Sequence, residues 1–149
     1  MNNRNTIHLA SRDEVDTVRE LFDEYEASLD FDLCFQDFEK ELEDPFAIYE
    51  AILLAPEGCV ALRRIDEKVC EMKRLYVRPG GRGNHLGRAL AESVIEIAKD
   101  RSYALVKLDT VPSMAAAIAL YRSLGFKETS DYRYNPIEGA LYFELELNS

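Results

Sequence analysis

With 149 residues, 47% of them apolar and 31% charged, the chain has the length and composition of one domain, 1–149, that buries a core without disulfide staples. Its formal charge of −10, from 18 basic and 28 acidic residues, argues against nucleic acid as a partner. No apolar run approaches the ~20 residues of a membrane span, and MNNRNTIHLASRDE has no apolar leader, so neither a membrane partner nor a secretory signal is expected.

In chain order, TIHLA (6–10) reads as a short strand, with Ile7 and Leu9 alternating with polar neighbours. Ser11 and Glu14 form a capping box. Val15, Val18, Leu21, Phe22 and Tyr25 recur at helical spacing to about Ser28. FDLCFQDFEKEL (31–42) continues with Phe35, Phe38 and Leu42 on one face, a second helix that ends before Pro45. AIYEAILLA (47–55) and CVALRRI (59–65) read as strands joined by a Pro56-Glu57-Gly58 turn, and VCEMKRLYV (69–77) as a third. A glycine-rich loop follows. Leu86, Leu90, Val94 and Ile97 predict a helix to Asp100, ALVKLDT (104–110) a strand, and Pro112 to Leu124 a helix capped by Gly125. Strands from Phe126 and over ALYFELEL (140–147) close the chain.

The order β-α-α-β-β-β-α-β-α-β-β predicts an α/β (α+β) domain, with helices on both faces of a mostly antiparallel sheet. Only the unit 69–110 need be parallel. Cys34, Cys59 and Cys70 are odd in number and lack CxxC spacing, which argues against a disulfide framework or a zinc site. Reduced thiols in a cytoplasmic location are expected. Charge is segregated. Residues 20–44 hold eleven acids and one base, while 68–88 hold six bases and one acid, Glu71. The first could attract a cation and the second an anion.

RPGGRGNHLGRAL (78–90) crowds glycine and arginine before a helix, a pattern suited to phosphate. It lacks the GxxxxGK[ST] pattern. It nearly fits GxGxxG, with Gly81 and Gly83 in place and Asp109 where a ribose-binding acid would stand, but Leu86 occupies the third position. The charged strand before it and the forty residues after Asp109 do not suit a doubly wound sheet. Arg82-Gly83-Asn84-His85-Leu86-Gly87 does match [QR]xxGx[GA] at its first and last positions.

With RLYVRP before it and AIALYRSLGF (117–126) after it, the loop resembles the GNAT superfamily of acetyl-CoA-dependent N-acyltransferases over nearly the whole chain. The resemblance implies acetyl-CoA as acyl donor. Its pyrophosphate would lie at Arg82, Gly83, Asn84, His85, Leu86, Gly87 and Arg88, and its pantetheine amides along the main chain of Leu75, Tyr76 and Val77. His85 stands where the family has glycine; a left-handed backbone there would cost ~1–2 kcal/mol, so helical φ/ψ is expected. Met114 stands where the family often has asparagine, so Ser113 is expected to take over that contact.

The resemblance implies Glu71 as general base and Tyr121 as the acid that protonates the departing thiolate. Read from the residues alone, Glu71 could equally pair across strands with Lys or Arg, and Tyr121 could simply fill the core. His8 and His85 are the only histidines, and no GxSxG elbow supports a hydrolase triad. Carboxylates are plentiful, but no metal-ligand spacing stands out. For the acceptor, Tyr25, Phe31, Asp32, Phe35, Tyr132 and Tyr134 suggest an aromatic, acidic-edged pocket for a cationic small amine or an N-terminal amine. The expected activity is acetyl transfer to a primary amine of a small molecule. A peptide or protein N-acetyltransferase, a non-catalytic CoA-binding module and a nucleotide-binding module remain alternatives, and a homodimer is left open.

Overall fold

Ser11 and Glu14 start the first helix as the capping box predicts, with the Ser11 N–H donating to Glu14 Oε1 at 3.0 Å. The computed structural model describes residues 6–29, 37–133 and 135–147. Strand β1 (His8–Leu9) precedes α1 (Val15–Ser28), α2 (Phe38–Glu43) and a single turn, α3 (Pro45–Ile48). Strands β2 (Ala51–Ala55), β3 (Gly58–Arg64) and β4 (Val69–Val77) follow, then α4 (Leu86–Asp100), β5 (Leu105–Thr110), α5 (Ala115–Ser123), β6 (Lys127–Thr129) and β7 (Leu141–Glu146).

The seven strands form one sheet in the order β1-β2-β3-β4-β5-β7-β6. Every neighbouring pair is antiparallel except β4–β5. This is the mixed, mostly antiparallel sheet with helices on both faces that the pattern predicts. Alternation along β2 divides the core: Leu53 joins Leu62, Leu90, Val94 and Phe143 under α4 and α5, while Ile52 and Leu54 join Val18, Phe22 and Phe38 under α1 and α2. Gly58 permits the close fit of α4, since a Cβ there would lie 2.5 Å from the Tyr76 carbonyl and 3.1 Å from Leu90 Cδ1. Truncating a buried leucine such as Leu90 costs about 2–5 kcal/mol.

Among the described residues, two boundaries differ from the periodicity by three residues or more. Residues 47–48 are not strand: Pro45 fits the first position of a helical turn, which the Tyr49 N–H closes on the Pro45 carbonyl at 2.9 Å. The described part of the second helix starts at Phe38, and Phe35 lies outside the described residues. α5 starts at Ala115 rather than Pro112, because Pro112 and Ser113 form a turn closed by the Met114 N–H on the Val111 carbonyl. Among the described residues, no helix is long and apolar enough to cross a membrane.

The segregated charges meet each other. Arg78 of the basic segment bonds Glu20 and Glu24 of α1, and Arg74 bonds Glu41 of α2. Part of the basic excess is therefore spent inside the fold rather than offered to a ligand.

Candidate active site

β4 and β5 pair only from Val69 to Glu71 against Leu105 to Lys107, although β4 continues to Val77 and β5 to Thr110. The strands part beyond Glu71. A bulge in β4 accompanies the parting: Lys73 faces Ala61, yet Tyr76 faces Cys59, leaving Arg74 and Leu75 opposite Val60. Arg74 occupies the bulge with φ 60°, a left-handed conformation that is strained for a side chain of this size. Its guanidinium grips both oxygens of Glu41 at 2.7 Å, and both side chains are buried. That fork holds the bulge.

The gap opens into a cleft of about 480 Å³. Leu75, Tyr76 and Val77 form one wall; Arg82, Gly83, His85, Leu86 and Gly87 form the end; Ser113, Met114 and Leu120 form the other wall, and Tyr25 also lines the cleft. Gly83 has φ +88° and open space around it, and a Cβ on Gly87 would stand 3.7 Å from Val77, inside the cleft mouth. α4 starts here, and its first N–H groups lack intrahelical acceptors; the first helical bond runs from the Ala89 N–H to the His85 carbonyl at 3.0 Å. These donors, the glycines and Arg82 fit an anionic phosphate ligand. Asn84 contributes a buried Oδ1 with no partner among the described residues.

His85 does not adopt the expected helical backbone. Its φ is 66° and ψ 20°, at the cap position one residue before the helix. The chain must turn through the left-handed region to bring Leu86 into register, which accounts for glycine in the family pattern; histidine is among the side chains that tolerate this region best. Arg88 lies apart from the cleft. It bonds Ser123 Oγ at 2.9 Å and Glu92 at 3.2 Å, in a separate groove of about 600 Å³ between α4, α5 and β7. Asp109 accepts from Asn135 Nδ2 at 2.9 Å.

Tyr121 is buried on α5, its ring 5.8 Å from Phe126 and 6.5 Å from Phe143. Burial, with Tyr25 and Asp109 adding to it, pushes its hydroxyl pKa well up, so it stays protonated. Glu71, fully buried, is the centre of a second cluster. Oε1 accepts from Arg63 Nε at 3.1 Å; Oε2 accepts from Tyr132 at 2.6 Å and from Arg133 Nη1 at 2.9 Å. Burial pushes its pKa upward, but Lys73, Arg133 and the Tyr132 hydrogen bond outweigh this and hold the carboxyl below 4.5. Lys73, also buried, is pushed down to about 7 by burial and then by Arg74.

The acceptor candidates divide. Tyr25 lines the cleft with its ring 6.1 Å from that of Tyr76, while Tyr132 sits on Glu71. Phe31, Asp32 and Tyr134 lie outside the described residues. The cross-strand pairing left open for Glu71 is present, with Arg63 as its partner; sequence reasoning did not name Arg63, Lys73 or Arg133 for the site. Arg63 faces Glu71 directly across the β3–β4 ladder, so hairpin register would have found it. Lys73 shares a face with Glu71 by strand alternation. Arg133 comes from an irregular segment after β6, where no periodicity exists.

The model of the acetyltransferase (GNAT) family matches residues 15–126. An N-acetyltransferase of Schizosaccharomyces pombe is 36% identical over 146 residues, covering 91% of this chain and 90% of that protein. Matches to other N-acetyltransferases span about a third to a half of their length. Among solved structures, a GNAT-family acetyltransferase of Staphylococcus aureus superposes with a TM-score of 0.78 at 20% identity, over 96% of this chain and 99% of that one. One from Elizabethkingia anophelis, with acetyl-CoA bound, superposes at 0.65 with 21% identity over 95% and 97%. At these identities the structural likeness is one of fold.

Proposed function

The chain belongs to the GNAT family of acetyltransferases, and we propose that it moves an acetyl group from acetyl-CoA to the primary amine of a small molecule. The observation that carries the reading is the parting of β4 and β5 beyond Glu71, which opens a cleft ending at the glycine-rich start of α4. Acetyl-CoA supplies an acetyl group already activated as a thioester.

The chain's own residues do the rest. The main chain around Arg82, Gly83, Asn84, His85, Leu86 and Gly87 offers N–H groups to phosphate oxygens, with Arg82 adding fixed charge. Main-chain groups of Leu75, Tyr76 and Val77 on the side facing the gap are available to pair with the amides of an extended ligand arm. An N–H there also stabilises charge developing on a carbonyl oxygen. Ser113 lines the same wall.

Glu71 has no exposed surface and both its oxygens are engaged. It therefore receives the amine's proton through the Tyr132 hydroxyl, which passes its own proton to Oε2 as it takes one up. Tyr121, kept protonated by burial, gives a proton to the departing sulfur. Tyr25 lines the same cleft and shapes the space left for the amine.

The test is release of free thiol from acetyl-CoA across a panel of small amines, amino acids and peptides. Turnover of small amines is expected. Turnover confined to peptides would replace the small-molecule reading. Binding of acetyl-CoA without thiol release for any amine would leave only a CoA-binding module.

A further inference from the structure

We infer that the acceptor amine also carries a carboxylate, bound by Arg63, Lys73 and Arg133 in a cavity beside Glu71. The inference rests on the acetyl-transfer reading and names the substrate class for it. The cavity, about 280 Å³, is separate from the acyl cleft and lies between the sheet and α2. Lys40, Arg63, Lys73 and Arg133 line it, against two acids, Asp37 and Glu41.

The acids are the weaker side of this balance. Glu41 has both oxygens on Arg74, and Asp37 is exposed. Glu71, behind the wall, gives one negative charge to two guanidinium groups, those of Arg63 and Arg133. Among the described residues the lining thus carries more bases than acids, in a partly enclosed space where charge attracts an anion more strongly than it would in water. The described lining is basic on balance, which favours an amine that also carries a negative charge.

One donor is left over. Arg133 Nε is buried and has no hydrogen-bond partner among the described residues. A buried guanidinium N–H without an acceptor is costly; a turn of the Arg133 guanidinium toward the cavity would present it to a carboxylate oxygen, which its planar fork suits. The position also fits the chemistry. Arg133 follows Tyr132, whose hydroxyl bonds Glu71. Lys73 stands two residues before Leu75, which lines the acyl cleft. A short zwitterion held by its carboxylate would keep its amine beside the proton-accepting pair.

The test uses matched pairs: glycine, β-alanine, L-alanine and L-aspartate, each against the primary amide that removes the carboxylate charge. Thiol release from acetyl-CoA and calorimetric binding are both measured. At least one acid should exceed its amide about tenfold in kcat/KM and in affinity, as expected of a desolvated charge contact. Lys73→Met should reduce that acid-to-amide ratio by about tenfold. A general disturbance of the fold would lower both members of the pair and leave the ratio unchanged. Equal use of acid and amide, or preference for the amide, overturns the proposal. If no amine releases thiol but the acid still binds selectively, and loses selectivity in Lys73→Met, the carboxylate site stands and acetyl transfer falls. If neither acid nor amide binds or reacts, the site falls.

Discussion

Arg74 holds Glu41 with two contacts of 2.7 Å, from a backbone at φ 60° in the middle of a strand. The ion pair and the strained backbone are one device. The guanidinium must leave the strand to reach α2, and the bulge that lets it do so bends β4 away from β5. Arg74→Met leaves Glu41 buried without this counter-ion, and Glu41→Gln takes the paired carboxylate from Arg74. Each should cost about 3–5 kcal/mol and lower Tm by roughly 10 °C or more. The double variant should lose less than the two losses added together, because neither charge is then stranded. Urea unfolding of the four proteins checks this.

Glu71, Tyr132 and Tyr121 should separate by what they do to the rate. Glu71→Gln keeps the shape but accepts no proton, and Tyr132→Phe removes the proposed relay to the buried carboxylate; each should lower kcat about 10²–10⁴-fold. Tyr121→Phe should lower kcat with thioester donors but matter less when the leaving thiol is more acidic. Glu71 also carries a stability signature. Its folded pKa is below 4.5, so its stabilisation is full above the unfolded value and fades as pH falls through the lower folded one. The stability gap between the parent chain and Glu71→Gln should therefore shrink only in acid. A gap that is constant down to the acid limit would remove the charge-based account of this residue.

What could be read in advance follows from which physics is local. α4 and β4 were legible to the residue, because a fifteen-residue amphipathic stripe and a strand ended by Arg78-Pro79 carry their own periodicity. The cleft was legible through its glycines. The charge pairs were not. Arg74–Glu41 and Arg133–Glu71 join residues 33 and 62 apart, and nothing in either segment marks its partner. The bulge was equally hidden, since VCEMKRLYV alternates well enough to pass for regular strand. Only the fold reveals that Arg74 shifts the register and that the bases of 68–88 are partly spoken for by α1 and α2.

Lys73 predicts a pH dependence of opposite sense. Its folded pKa is about 7, against 10.5 for the free side chain. Between those values the unfolded chain binds more protons than the folded one, so this group makes stability rise with pH across that window, by at most about 1.4 kcal/mol per unit. Below 7 the side chain is charged in both states and the burial cost is fully present. Lys73→Met should therefore be more stable than the parent chain at pH 6, and the advantage should narrow steadily toward pH 10. Denaturant midpoints at four pH values measure this. Parallel curves for the two proteins would show that Lys73 keeps its ordinary pKa.

His85 tests the backbone rather than a charge. At φ 66° a β-carbon costs ~1–2 kcal/mol, and glycine gives back ~0.4–1 kcal/mol through its freer unfolded chain. His85→Gly should thus gain roughly 0.5–1 kcal/mol, while His85→Ala, which keeps the β-carbon, should gain nothing. The ring is exposed and makes no hydrogen bond among the described residues. If main-chain N–H groups hold the phosphates, KM for acetyl-CoA should stay within about twofold in both variants. A rise of about tenfold in both, with the stability difference intact, would instead assign the imidazole a direct contact with the donor.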